Sequence, residues 1–282
     1  MTSIYIDTET DRALRARHRA IWASGDYPRV ATDLIAALGP TIVAAAGITK
    51  GQRVLDVAAG NGNASIPAAE TGASVVASDL TPELLDAGRI RVAARGVELK
   101  WVQADAEALP FGDNEFDAVI SVVGAMFAPH HDQTAGEMLR VCKPGGVIAM
   151  INWTTEGLIG QLFATMRPYA PPPPPGVQPP PLWGNESHVR RLFGNGITAA
   201  SFERRTLITP PEIATPIDFR EFFKTNYGPT IATYAALADQ SDARAALDDD
   251  FQRFLTETDA RIADAPTARW AMEYLLFTAR KS

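Results

Sequence analysis

Residues 54–66 read VLDVAAGNGNASI, an apolar run carrying Asp56 that ends in a small-residue turn with Gly60 and Gly62. A strand that enters such a turn and continues as a helix can hold a nucleotide on backbone N–H groups. The turn here is G-N-G-N-A-S, so it lacks the third glycine of a dinucleotide loop. A carboxylate at Asp56 would repel a pyrophosphate and suits a ligand that carries an ammonium or a sulfonium. Asp79 follows 19 residues after Gly60, at the end of a second apolar run. An acid there accepts hydrogen bonds from two ribose hydroxyls and disfavours a 2′-phosphate. Asp105 closes a third run in QADAEALPF, where it can accept from an adenine amino group while the Ala106 N–H reaches a ring nitrogen. Any one of these acids alone reads more readily as a helix cap. Three at successive strand ends, beside a glycine turn, read as one site.

Other reactive side chains are sparse. His130 and His131 are adjacent and point different ways, so with Asp132 they make a poor metal-ligand set, and no metal is expected. They follow the fourth apolar run on the same rim as the acids. His131 is therefore the candidate general base, with a helix-capping or surface role as the alternative. Cys142 reads as a packing residue, and His18 and His188 have no evident partners. Arg12, Arg15, Arg17 and Arg19 are interleaved with alanine and leucine, as on a solvated helix face. Phe127, Trp153, Trp183, Phe222, Phe223 and Tyr227 are the aromatic residues expected to line an apolar acceptor cavity.

The elements that must position these groups form an alternating pattern. Short apolar runs at 53–58, 74–79, 99–105, 116–123 and 146–153 are separated by segments of helical length and period. Strands apolar on both faces, with helices between them, define a parallel sheet covered on both sides. Thr81 before Pro82 marks a helix start, and KPGG at 143–146 marks a turn into the fifth strand. One domain over 1–282 is expected, with an N-terminal helical cap (1–50) and a cofactor-binding core (51–155). A proline-rich insert (156–200) follows, then closing strands at 201–208 and 271–281 that flank a helical lid (209–268). The stretch RPYAPPPPPGVQPPPLWG reads as an extended insert packed on the surface, with docking of a partner on its prolines as a second reading.

Composition narrows the function. A net charge of -7 over 282 residues offers no basic excess for nucleic acid. No apolar stretch reaches the length of a membrane span, and the N-terminus has acids where a signal sequence needs an apolar run. The one cysteine excludes an internal disulfide, and a cytoplasmic protein is expected.

The runs VLDVAAGNGNA, SDLTPELLDAGR, ADAEALPFGDNEFDAVIS and LRVCKPGG, in that order, resemble the class I S-adenosylmethionine-dependent methyltransferases, and most closely their ubiquinone/menaquinone-type, small-molecule branch. The resemblance covers about residues 20–155. It implies an α/β, Rossmann-like sheet of seven mostly parallel strands in the order 3-2-1-4-5-7-6, with the last strand antiparallel. Carried over by position, Asp56 and the loop with Ala58, Gly60, Asn61 and Gly62 would face the methionine part and ribose of S-adenosylmethionine. Asp79 would take the ribose hydroxyls, Asp105 and Ala106 the adenine, and Leu80 the adenine face. Val122 would meet the methionine portion through its backbone, and Tyr27 lies where an N-terminal helix folds over the cofactor. Two departures stand out: Ala58 where the family often has its first glycine, and Asn61 where many members have threonine. The implied activity is methyl transfer to carbon or oxygen of a small hydrophobic or aromatic acceptor. The rival readings are a non-catalytic cofactor-binding sensor and a nicotinamide oxidoreductase. The second is disfavoured by Asp56, the missing glycine and the lack of a Tyr-x-x-x-Lys pair.

Overall fold

The computed structural model describes residues 9–262 and 268–282. The N-terminal acids weighed against a signal sequence fall partly in 1–8, and the end of the lid segment falls in 263–267, so both lie outside the described residues. The strands are β1 (Arg53–Val57), β2 (Ser74–Asp79), β3 (Lys100–Gln103), β4 (Phe116–Val122), β5 (Cys142–Trp153), β6 (Ile197–Ile208), β7 (Arg261–Ile262) and β8 (Arg269–Lys281). They form one sheet in the order β3-β2-β1-β4-β5-β8-β6. The first five pair in parallel, and β8 runs antiparallel between β5 and β6. Along the path this is the expected order of seven. The eighth strand is the two-residue β7, which pairs with β8 beside the path.

The central strands are buried because helices cover both faces. In β1 only Arg53 is exposed, and Val54, Leu55 and Val57 are wholly enclosed. Two strands begin well before the sequence reading places them, both at bulges. β5 begins at Cys142, so KPGG lies inside the strand, with Gly145 at φ 75°. β6 begins at Ile197, and its register against β8 shifts between Thr198 and Ser201, where Ala199 has φ 48°. Thr81 stands at the start of helix Pro82–Ala93, but its hydroxyl makes no cap bond; its N–H instead donates to Asp79.

The segments outside the core form a roof. Helix Glu9–Ala23 packs on helix Gly228–Ala236, and helices Pro216–Asn226 and Ser241–Glu257 lie beside them. The approach is backbone to backbone: a Cβ at Gly228 would stand 2.2 Å from the Ile21 carbonyl oxygen. Between helices Leu158–Met166 and Glu186–Phe193 the proline stretch runs over the surface as coil and two short 3-10 turns. It is pinned where the Gln178 N–H donates to the Pro129 carbonyl. Among the described residues no single helix is long and apolar enough to cross a membrane.

Candidate active site

The ends of β1, β2 and β4, the loop after β3 and the helical roof enclose one cavity. At its floor the chain leaves β1 through Ala58 (φ 53°) and Gly60 (φ 55°), which turns the loop N–H groups toward β2. The Gly60 N–H donates to Asp79 Oδ2 at 2.8 Å and the Thr81 N–H to Oδ1 at 2.8 Å. Asp79 is only 7% exposed and borders the cavity. Burial raises its pKa, and the N–H bonds from Thr81 and Gly60 oppose that rise. Each oxygen keeps a lone pair for a further donor.

Asp105 is held through Oδ1, which accepts from the Glu107 N–H at 2.9 Å. Its Oδ2 is buried, accepts no hydrogen bond, and lies 3.5 Å from Arg15 Nη1. Asn61 Nδ2 is likewise buried without a partner, and both residues border the cavity. The polar floor therefore offers one acceptor that is ion-paired with Arg15 but accepts no hydrogen bond, one unfilled donor and a doubly anchored carboxylate.

The end of β4 faces this loop at close range. Val123 is β-branched yet has φ 41°, a conformation that costs energy and collects at binding sites. A Cβ at Gly124 would lie 2.1 Å from the Ala58 carbonyl oxygen. Gly124→Ala must push the two rims apart, so a loss of about 2–3 kcal/mol is expected, read as a lower Tm and weakened ligand binding. A variant with wild-type Tm would mean that the two rims separate freely.

The other end of the cavity is aromatic. Trp22 packs against Phe127 (ring centroids 4.7 Å apart) and Tyr27 (5.6 Å), and Tyr227 against Phe223 (5.3 Å) and Phe163 (6.2 Å). Trp153 and Ile159 complete the wall. Tyr27 Oη accepts from the Gly228 N–H at 3.1 Å, while Tyr227 Oη is buried with no partner.

Of the residues singled out in the sequence, Tyr27, Ala58, Gly60, Asn61, Asp79, Leu80, Asp105, Ala106, Val122, Phe127, Trp153, Phe223 and Tyr227 border this cavity. Five do not. Asp56 turns inward, where its Oδ2 accepts from Ser65 Oγ at 2.5 Å, and burial pushes its pKa up to about 7. Its carboxyl ties β1 to the following helix instead of facing a ligand. Gly62 packs beneath Trp101, whose ring would be 2.9 Å from a Cβ there. His131 is fully buried at the start of helix His131–Val141, bonded to His188 and tilted against the Trp183 ring, so it cannot serve the cavity as a base. Trp183 is enclosed with it behind β5. Phe222 points about 100° away from Phe223 around its helix and borders a separate groove with Arg29.

The roof supplies residues the sequence reading assigned elsewhere. Arg15, His18 and Trp22 all border the cavity, and the Arg15 side chain is only 19% exposed, so it does not lie on a solvated face. Their i, i+3, i+7 spacing on one helix face was the available signal. Burial and the nearby Arg17 lower the His18 pKa, which keeps the imidazole neutral near pH 7. His130 turns away and pairs with Glu107 through Nδ1 at 3.0 Å. Among the described residues no group of three or more ligating side chains could hold a metal.

The fold is that of the class I S-adenosylmethionine-dependent methyltransferases, and residues 54–146 match the family model described as Methyltransferase domain. The Mycobacterium tuberculosis protein Rv1405c is 48% identical over 278 residues, 98% of this chain and 99% of that one, and this chain belongs to its family. The demethylmenaquinone methyltransferase of Renibacterium salmoninarum is 43% identical over 118 residues, 41% of this chain and 48% of that protein. The solved structure of YcgJ from Bacillus subtilis shares the fold, with a TM-score of 0.59 at 16% identity over 86% of this chain and 96% of that one.

Proposed function

We propose that this protein transfers the methyl group of S-adenosylmethionine to carbon or oxygen of a small hydrophobic or aromatic acceptor. The observation that carries this reading is the polarity split within one cavity, with carboxylates at one end and packed aromatic rings at the other. The residues present fit the cofactor. Asp79 has free lone pairs for a ribose diol, Asp105 Oδ2, paired with Arg15 but accepting no hydrogen bond, suits an adenine amino group, and Ala106 follows with its N–H. When bound, S-adenosylmethionine supplies a methyl carbon already activated by its sulfonium.

The protein's own task is to align and to exclude water. Asp79 and the Gly60 loop fix the sugar, and the roof helix shuts the cavity through Arg15 and Trp22. The rings of Phe127, Trp153, Phe223 and Tyr227 bury the acceptor's apolar surface beside the end of β4. No nucleic-acid partner is proposed, because the net charge of -7 offers no basic excess for phosphates.

The test has two arms. Thermal unfolding with a saturating sulfur nucleotide, at a hundredfold excess over Kd, is expected to show about 2.7 kcal/mol of added stability, and NAD none. Turnover of labelled S-adenosylmethionine is then followed on phenolic and quinol-like acceptors. Stabilisation without turnover on any acceptor favours the sensor reading, and stabilisation by NAD alone refutes the methyltransferase one.

A further inference from the structure

We infer that the Tyr227 hydroxyl is the group that selects the acceptor, by donating a hydrogen bond to an oxygen on the ring to be methylated. The inference rests on the proposed methyl transfer and deepens it. Tyr227 stands between helices Pro216–Asn226 and Gly228–Ala236, in the roof and outside the matched methyltransferase region. It is 8% exposed, borders the cavity, and its Oη has no hydrogen-bond partner.

Neighbouring tyrosines differ. Tyr27 Oη accepts from the Gly228 N–H, Tyr234 Oη donates to Asp248 at 2.7 Å, and Tyr169 Oη to Asp250 at 2.5 Å. A buried hydroxyl left unpaired is costly, so it persists where a ligand completes it. The ring cannot swing the hydroxyl elsewhere, since Phe163 stacks on it at 12° and Phe223 and Trp22 hold its other sides. Burial raises the phenol pKa well above its usual value, so the group remains a donor and does not act as a base. The polar groups suited to the nucleoside, Asp79, Asp105 and Asn61, are the floor loops. Tyr227 belongs instead to the aromatic wall with Trp22 and Phe223. A bare hydrocarbon ring would leave this hydroxyl unpaired, and a hydroxyl or carbonyl oxygen would satisfy it.

The experiment uses the full chain saturated with S-adenosylhomocysteine and titrated with 2-naphthol or naphthalene, for wild type and Tyr227→Phe. Wild type is expected to bind 2-naphthol roughly three- to tenfold more tightly than naphthalene, the range of one neutral hydrogen bond. Tyr227→Phe should bind both alike, with its affinity for S-adenosylhomocysteine unchanged. The change keeps every ring contact and removes an unpaired group, so the variant should unfold at or above the wild-type temperature. A variant that still prefers 2-naphthol overturns the inference, as does a wild type that binds the cofactor product but neither prefers nor binds 2-naphthol. Weaker S-adenosylhomocysteine binding in the variant would assign the hydroxyl to the cofactor and also overturn it. Failure of the wild type to bind S-adenosylhomocysteine would refute the methyltransferase reading itself, and the inference with it.

Discussion

Replacing Asp79 with alanine is expected to weaken S-adenosylhomocysteine binding by about 1.5–3 kcal/mol, the range for a hydrogen bond to a charged group. Two losses combine. The ribose would lose its ionised acceptor, and the Gly60 and Thr81 N–H groups would lose the carboxylate that sets the floor loop. Asp79→Asn separates them. The amide keeps one acceptor oxygen for one of the two N–H groups, but it brings no charge and turns an NH₂ toward the other. Its affinity should therefore fall between wild type and alanine. Titration calorimetry on all three proteins measures this, with thermal unfolding of the ligand-free forms as the check on the loop. Wild-type affinity in Asp79→Ala would remove this residue from the cofactor site.

Asp79 could be found from sequence because its position depends on strand order alone. An acid that ends the second strand of a parallel sheet must lie on the rim, whatever the side-chain packing. Asp105 and Gly60 follow from the same reasoning, and so does the sheet order along the path. Asp56 shows the limit. It lies one residue before the end of β1, and whether its carboxyl meets a ligand or Ser65 depends on a three-dimensional direction that spacing does not encode. His131 fails for a related reason. Its position after β4 is correct, but the proline-rich insert folds back to supply Trp183 and helix Glu186–Phe193 brings His188, and together they bury it. Those contacts span more than fifty residues of sequence. The roof was obscured by composition: four arginines among alanines look solvated until helix Gly228–Ala236 takes one face and the cavity the next.

The buried histidine pair should make the protein lose stability in mild acid. Arg191 Nη2 lies 2.8 Å from His188 Nδ1, and a guanidinium only donates, so that nitrogen is an acceptor and His188 carries its proton on Nε2. His188 then donates to His131 Nδ1 at 2.9 Å, which leaves the His131 proton on Nε2. Neither imidazole can take a second proton without setting two donors against each other. Burial first, then the facing His188, Arg191 and His130, pull the His131 pKa down to about 3, and burial with Arg191 lowers that of His188. The unfolded chain binds a proton on each histidine near pH 6.5 and the native state does not, so stability is full above that pH and falls below it. The slope approaches about 1.4 kcal/mol per pH unit for His131 alone once the pH is well below 6.5, and the loss between pH 6.5 and 4.5 is about 2.3 kcal/mol. Asp56 works in the opposite direction. With its pKa pushed up to about 7, the native state gains a proton before the unfolded chain does, which adds stability as the pH falls. The wild-type curve sums both trends, so the informative quantity is a difference. Urea unfolding of wild type and His131→Gln at pH 6.5, 5.5 and 4.5 should show wild type losing stability relative to the variant by about 1.0 kcal/mol over the first unit and about 1.3 kcal/mol over the second, because glutamine keeps a bond to His188 and cannot titrate. Parallel curves would mean that His131 gains its proton in the folded protein as readily as in the unfolded chain, and that the tautomer chain from Arg191 does not hold.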